Sequence, residues 1–215
     1  SGTEAADFRK LSGMRDDRVM HVNNGVNTDY FNPELALPDP YQPAGTVLVF
    51  TGAMDYWPNI DAVEWFVQQV LPKLRAQVPT LQFYIVGARP TEAVLALARL
   101  PGVVVTGGVP DIRPYIRHAT LAVAPLRIAR GVQNKVLEAM ALGKLVVASP
   151  QAAEGIYAES GKHMLVVADA TAFVATILAA LAKPDATIGL AARAHMLQCY
   201  DWDTSLARFD RLFAM

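Results

Sequence analysis

The chain of 215 residues holds a single cysteine, Cys199, only 18% charged residues, and a net charge of −1. One cysteine excludes an internal disulfide framework and fits a reducing compartment. In the setting HMLQCYDW it reads as a small core hydrophobe, not a reactive thiol. Near-neutrality argues against a nucleic-acid partner. The opening SGTEAADFRKLSG is too polar for a signal peptide. Long apolar runs are missing: the nearest, MLVVADATAFVATILAALA, is interrupted by Asp169 and reads as strand, turn and helix. His21, His118, His163 and His195 have no metal-ligand spacing, and no Asp-x-Asp pair follows a strand, so no metal is expected. Neither G-x-G-x-x-G after the first strand nor G-x-x-x-x-G-K-[ST] occurs. That disfavours a dinucleotide and a P-loop nucleotide, and no cofactor is expected. Internal repeats and low-complexity tracts are absent.

What is present is the composition of a packed globular domain, 53% hydrophobic with mean hydropathy +0.23. Residues 1–45 stand apart, rich in Asn, Asp, Pro and Gly, and read as a short strand (VMHV) followed by turns and a linker. From Thr46 the chain alternates. TVLVF is a buried strand, followed by DYWPNIDAVEWFVQQVLPKL with Ile60, Val63, Val67, Val70 and Leu74 at helical spacing. Pro58 suits the first turn of that helix, Asp61 and Glu64 lie near its positive end, and Asp55 reads as its cap. Pro72 should kink or end it. LQFYIVG, GVVVTG, TLAVAPL, KLVVAS and HMLVV are further strands, separated by helical stretches at TEAVLALARL, DIRPYIRH and 131–142. DATAFVATILAALAK is a helix, and two more follow, split near YDWD, where Asp201 or Asp203 caps the last. Trp202 reads as its anchor in the core. Apolar strands alternating with helices predict an α/β fold, a Rossmann-like, doubly wound parallel sheet of about six strands flanked by helices over about 46–183.

Ligands of such a sheet bind beyond the carboxyl ends of its strands. The turn before the 131–142 helix is the most informative. From Ile112 to Leu137 there are five cations, Arg113, Arg117, Arg127, Arg130 and Lys135, and no Asp or Glu. A helix beginning at Gly131 offers free N–H groups, and with basic neighbours it suits a diphosphate. On that helix Gly131, Asn134, Lys135 and Glu138 fall within one arc of about 100°. Val132, Val136, Ala139 and Met140 lie opposite, on the sheet side. Lys135 can neutralise phosphate, and Glu138, deeper in, can accept hydrogen bonds from vicinal hydroxyls such as those of a ribose. The other reading is an exposed i,i+3 pair of Lys135 and Glu138.

RGVQNKVLEAMALGKLVVAS resembles the hallmark segment of family 4 retaining glycosyltransferases of the GT-B fold. FTGAMDYWPNIDAVEWF, FYIVGARP, VVVTGGVPDIRPYIRHATLAVAPLR and HVNNGVNTDYFNP resemble the same family in order and spacing, over roughly 18–213. The resemblance implies two Rossmann-like lobes, of which this chain is similar to the C-terminal, donor-binding one. Residues 1–45 would then be a remnant of the other lobe and the linker, 46–200 the donor domain, and 201–215 a helix directed towards the other lobe. It implies a nucleotide-sugar as substrate. The acceptor, a sugar or lipid-linked glycan, would be held by the absent lobe, so this chain alone would bind donor and transfer little. Bacterial polysaccharide or glycoconjugate synthesis is the implied setting, with a cytoplasmic location at the inner face of a membrane and peripheral membrane association of the full protein. Lys135, Glu138 and Arg130 take the catalytic positions. Gly52, Arg89, Val109, Pro110, Arg127, Gly131, Val132, Gln133 and Asn134 take donor-binding ones, Val109 and Pro110 facing the base and Gly52 admitting the phosphates. Arg89 suits either a phosphate or plain surface. Tyr56 and Trp57 would pack against the absent lobe or staple the helix start. Two positions depart from the family. Arg130 stands where a Glu is common, eight positions before Glu138. The turn after the first strand, GAMDYWPN, lacks the usual Arg and Lys, so Lys135, with Arg130 or Arg127, is read as the substitute phosphate clamp. The alternatives are an epimerase or phosphorylase of the same fold, or a non-catalytic nucleotide- or protein-binding module.

Overall fold

The structure, a computed structural model, describes residues 2–14, 19, 24–41 and 45–206. An N-terminal helix, α1 (Gly2–Ser12), precedes the linker. The strand expected at VMHV, apart from Val19, and the last helix beyond residue 206 lie outside the described residues.

From Val47 the order is β1 (Val47–Thr51), α2 (Trp57–Gln69), α3 (Leu71–Gln77), β2 (Gln82–Val86), α4 (Glu92–Leu97), β3 (Val103–Gly107), α5 (Arg113–His118), β4 (Leu121–Ala124), α6 (Asn134–Ala141), β5 (Val146–Ala148), α7 (Pro150–Ala153), β6 (Leu165–Val166), α8 (Ala170–Ala182) and α9 (Ala186–Cys199). The six strands form one parallel sheet in the order β3-β2-β1-β4-β5-β6, as the apolar runs predict. β1, β4 and β5 are buried along their whole length, the pattern of strands covered on both faces. With the right-handed crossovers that parallel units adopt, this strand order puts α2–α4 on one face and α5–α7 on the other. α8 returns to the first face, where Phe173 meets Trp65 and Phe66 edge-on at 5.7 and 6.2 Å. α9 packs on α6. The chain reverses its direction of travel across the sheet between β1 and β4, and that is where such folds leave a crevice.

Pro72 does break the helix. α2 ends at Gln69 and α3 starts at Leu71 with the proline in its first turn. The start of α2 differs from expectation. Tyr56 is the N-cap residue and makes no side-chain cap. Asp55 instead accepts from Arg89, Nε to Oδ2 at 2.5 Å. The first turn of α2 holds no acid, because the helix begins at Trp57, so Asp61 and Glu64 fall beyond it. At the C-terminal end, Asp201 accepts from the backbone N–H of Asp203 at 3.1 Å and caps the helical residues 202–206. Trp202 is not core: it is 40% exposed and lies over Gly25. Cys199 is half-buried against the core. Among the described residues no single helix is long and apolar enough to cross a membrane. α8 and α9 pass that test only together, and they meet at a bend of 106°.

The linker 24–41 is strapped to this domain by arginine and histidine side chains acting on its carbonyl oxygens. Arg193 donates to the carbonyls of Thr28 (2.9 Å) and Phe31 (3.0 Å). Arg113 donates to Tyr30 (3.0 Å) and Arg117 to Pro33 (3.1 Å). The His118 ring nitrogen pairs with the Leu37 carbonyl at 2.8 Å.

Candidate functional site

A cavity of about 490 Å³ opens at the carboxyl ends of β1, β2 and β3, against the start of α6, within the size range of small-ligand sites. Thr51, Gly52 and Ala53 form one wall, Val86, Gly87 and Ala88 a second, Gly108, Val109 and Ile112 a third, and Val132, Gln133, Asn134, Lys135 and Glu138 the fourth. Seven of the twelve residues singled out from the sequence line it: Gly52, Val109, Val132, Gln133, Asn134, Lys135 and Glu138.

The fourth wall explains its own chemistry. Gln133 is the N-cap of α6 and provides no side-chain cap, so the first N–H groups of the helix are left for another acceptor. Gly131 does not begin the helix. It lies three residues earlier in the loop with φ +68°, and its carbonyl accepts from Gln133 Nε2. Val132, expected against the sheet, lines the cavity for the same reason: the helical arc starts only at Asn134. From there the arc holds, and Val136, Ala139 and Met140 are buried.

Lys135 and Glu138 are both half-buried in the cavity wall, and they form no ion pair with each other. The exposed-pair reading is therefore excluded. Lys135 Nζ donates to Oδ1 of Asn59 at 2.5 Å and stands 4.8 Å from the centre of the Phe50 ring. Burial pulls its pKa down to about 8, with Glu138 pulling the other way. The Glu138 carboxyl is pushed up by burial and held back by Lys135. It makes no hydrogen bond to any other described residue. A carboxylate set in a cavity wall with unused acceptor capacity is an open invitation to hydroxyl donors.

The other cations behave differently from expectation. Arg127 forks onto the Asp61 carboxylate of α2. Arg113 forks onto Asp111 and lies 3.7 Å over the Tyr30 ring. Arg117 serves the linker. Arg89 is held by Asp55 and is exposed. Arg130 and Pro110 are exposed and outside the cavity wall. Of the five cations in the basic stretch, Lys135 alone lines the cavity. Among the described residues no cluster of His, Cys, Asp or Glu could hold a metal ion.

Two features of the site escape the sequence reading. One is Asn59, buried (3% exposed) beneath Lys135. The other is Gly87, whose missing side chain, with that of the expected Gly52, lets the turns after β1 and β2 touch. A Cβ on Gly52 would stand 2.7 Å from Asn59 Nδ2 and 3.3 Å from Lys135 Cε. Its bareness thus makes room for the amide and the lysine stem, besides leaving the cavity open. The G-A dipeptides after both strands, TGA and VGA, are the signal that could have found this pair.

Comparison with known proteins places the chain. A family model described as glycosyl transferases, group 1, matches residues 45–183. No curated protein matches the sequence. Among solved structures, a glycosyltransferase from Rickettsia africae ESF-5 superposes with TM-score 0.79 at 17% identity, over 99% of this chain and 61% of that one. Sucrose-phosphate synthase from Thermosynechococcus elongatus gives 0.77 at 21% identity, over 100% and 56%. HepE from Anabaena, solved with UDP and glucose, gives 0.77 at 15% identity, over 100% and 61%. At these identities the likeness is one of fold. The chain spans about three-fifths of the length of these three structures.

Proposed function

Since the chain belongs to the group 1 glycosyl transferases, we propose that it is the donor-binding part of a retaining, family 4 enzyme that moves a hexose from a nucleotide-sugar to a hydroxyl acceptor. The observation that carries this reading is the pairing, in one cavity at the sheet's switch point, of an ammonium with spare donors and a carboxylate with spare acceptors. The diphosphate sits at Lys135 and the uncapped start of α6. The ribose hydroxyls donate to Glu138, and the base lies at Gly108–Val109. Asn134, Gln133 and Val132 border the sugar–phosphate region. When the bond between the sugar and the diphosphate breaks, negative charge grows on the leaving nucleotide. Lys135 and the N–H groups of α6 oppose it from fixed positions. The chemistry needs no metal or cofactor. The acceptor, a sugar or lipid-linked glycan, is held by chain beyond the donor domain, in cytoplasmic synthesis of a polysaccharide or glycoconjugate at the membrane face.

Calorimetry with UDP-, GDP- and ADP-sugars tests the reading. One of them should bind, and Glu138→Ala should weaken it about 10- to 100-fold, the worth of one charge-assisted hydrogen bond. The loss should shrink with the matching 2′,3′-dideoxy nucleotide, which has no vicinal hydroxyls to offer. Absence of binding by all three sugars at millimolar concentration would end the proposal.

The binding should also depend on pH in a defined direction. Free Lys135 titrates near 8, and a bound diphosphate raises that value. The complex therefore keeps a proton that the free protein loses above about pH 8. Affinity for a nucleotide-sugar is expected to be level just below that pH and to fall up to about tenfold per pH unit above it. On the acid side, loss should begin at a higher pH than an ordinary carboxylate would give, because burial raises Glu138. A titration series from pH 5 to 10 reads both limbs.

A further inference from the structure

Asn59 sits in the first turn of α2, on an element that shares no helix or strand with the cavity's charged groups. It is a buried polar side chain, and both ends of its amide are used. Nδ2 donates to the Ala53 carbonyl at 2.8 Å, and Oδ1 accepts from Lys135 Nζ at 2.5 Å. The orientation of the amide is fixed by chemistry, since an ammonium can only donate and a carbonyl can only accept. Ala53 belongs to the turn that forms the first wall of the cavity. One amide thus ties together the turn after β1 and the cation on α6, across 76 positions of sequence.

A lysine stem is flexible and its ammonium can wander over several ångströms, which makes it a poor fixed charge. Here the Phe50 ring from β1 and the Asn59 amide from α2 confine it. Among the described residues, the only charged group acting on it is Glu138, on its own helix. Of the three N–H donors of the ammonium, Asn59 takes one and leaves two for anionic oxygens. Gly52 keeps the space in which amide and stem meet.

We propose that Asn59 is a positioning residue for the donor's diphosphate: its amide clamps the Lys135 ammonium at the cavity wall and locks it in register with the turn after β1. This rests on the reading of the cavity as a nucleotide site. The role is position, not contact, because the Asn59 side chain is buried and does not line the cavity.

The test is calorimetry with UDP, GDP and ADP across pH 7–10 on the unaltered chain, Asn59→Ala and Asn59→Asp. In Asn59→Ala the ammonium loses its acceptor, so affinity should fall about tenfold at pH 7 and the alkaline limb should move to lower pH. In Asn59→Asp a carboxylate replaces the amide oxygen. It should neutralise the cation, weaken binding at pH 7 at least as much, and move the limb to higher pH. A residue that merely supports the fold would lower the melting temperature in both variants and leave the limb where it is, and that result overturns the proposal. Nitrogen-15 lysine NMR of the unaltered chain decides independently should either variant fail to fold. The Lys135 Nζ protons, assigned by Lys135→Arg, should exchange slowly both free and with nucleotide, whereas fast exchange in both states refutes the clamp. Failure of the unaltered chain to bind any of the three nucleotides is a different result, and it defeats the nucleotide-site reading instead.

Discussion

Lys135→Met is expected to weaken nucleotide-sugar binding about 100-fold while the melting temperature stays level or rises. The two halves have one cause. A charge-assisted hydrogen bond to phosphate contributes about 1.5–3 kcal/mol, or roughly 10- to 150-fold in affinity. Methionine also leaves the Glu138 carboxylate facing the diphosphate with no cation in the wall, which places the loss towards the upper end. In the folded chain, however, the ammonium is an uncomfortable guest. Burial brings its pKa from 10.5 to about 8. The unfolded chain holds that proton up to about pH 10.4, so below pH 8 the charge weakens the fold by at most about 3 kcal/mol. The penalty fades as pH rises between those two values and is gone above them. Methionine fills much the same volume without charge and gives up the Asn59 bond, about 1 kcal/mol, and the ammonium's contact with the Phe50 ring, about 0.5–1 kcal/mol. At about 2–4 °C per kcal/mol for a domain of this size, the melting temperature at pH 7 should rise by a few degrees, and the gain should vanish near pH 10. A group kept for stability would show the opposite sign. Binding of UDP-, GDP- and ADP-sugars within threefold of the unaltered chain would remove Lys135 from the site.

The sheet and the polar face of α6 were legible in the sequence for the same reason. Both follow from local periodicity: five-residue apolar runs such as VLVFT can only be covered strands, and Asn134, Lys135 and Glu138 share a helical arc whatever surrounds them. The basic bias of 112–137 was legible as composition, but its purpose was not. Arg127 is used by Asp61, which is 66 positions away in sequence. Arg117 is used by a linker carbonyl 84 positions away. Which cations remain for a ligand is thus decided by partners that no local pattern reveals. Gly131 misled in a related way. A glycine ahead of an apolar-periodic stretch suits a helix start, but its positive φ marks a turn, and the helix waits for Asn134. Asn59 was invisible because buried amides have no periodic signature. The hint lay in Pro58-Asn59 inside an otherwise apolar helical face, and it gains meaning only once Lys135 is seen above it.

Gly87→Ala should be the most damaging single-methyl change at the cavity, lowering the melting temperature by about 10 °C or more. The strand ladder continues past the strands at this point: the N–H of Gly52 donates to the Val86 carbonyl at 3.0 Å, that of Gly87 to Gly107 at 3.1 Å, and that of Met54 to Ala88 at 2.8 Å. These backbone bonds stitch the three turns to one another, and the Arg89–Asp55 pair adds a side-chain link between the first two. A Cβ on Gly87 would fall 1.7 Å from the Gly52 carbonyl oxygen and 2.7 Å from its carbon. No rotamer relieves a contact between Cβ and backbone, so either the ladder opens or the turn after β1 moves. Gly87 also has φ +153°, where a side chain is strained before any clash is counted. Together these place the change among the severe substitutions, at about 4 kcal/mol, or roughly 8–16 °C. Gly107 is the internal control. It too has positive φ, +69°, but a Cβ there would meet nothing within 4 Å, so Gly107→Ala should cost only the backbone term, about 1–2 kcal/mol. The two alanines differ in function as well. Displacing the turn after β1 drags Ala53 away from the Asn59 amide and Gly52 from the cavity wall, so Gly87→Ala should lose nucleotide-sugar binding even at temperatures where it is fully folded. Gly107→Ala, on the turn before Gly108 and Val109, should retain it. Calorimetric melting of the two variants side by side, followed by nucleotide titration at 10 °C, separates the cases. Equal melting temperatures for the pair would show that the contact between the two turns is not what holds this rim together.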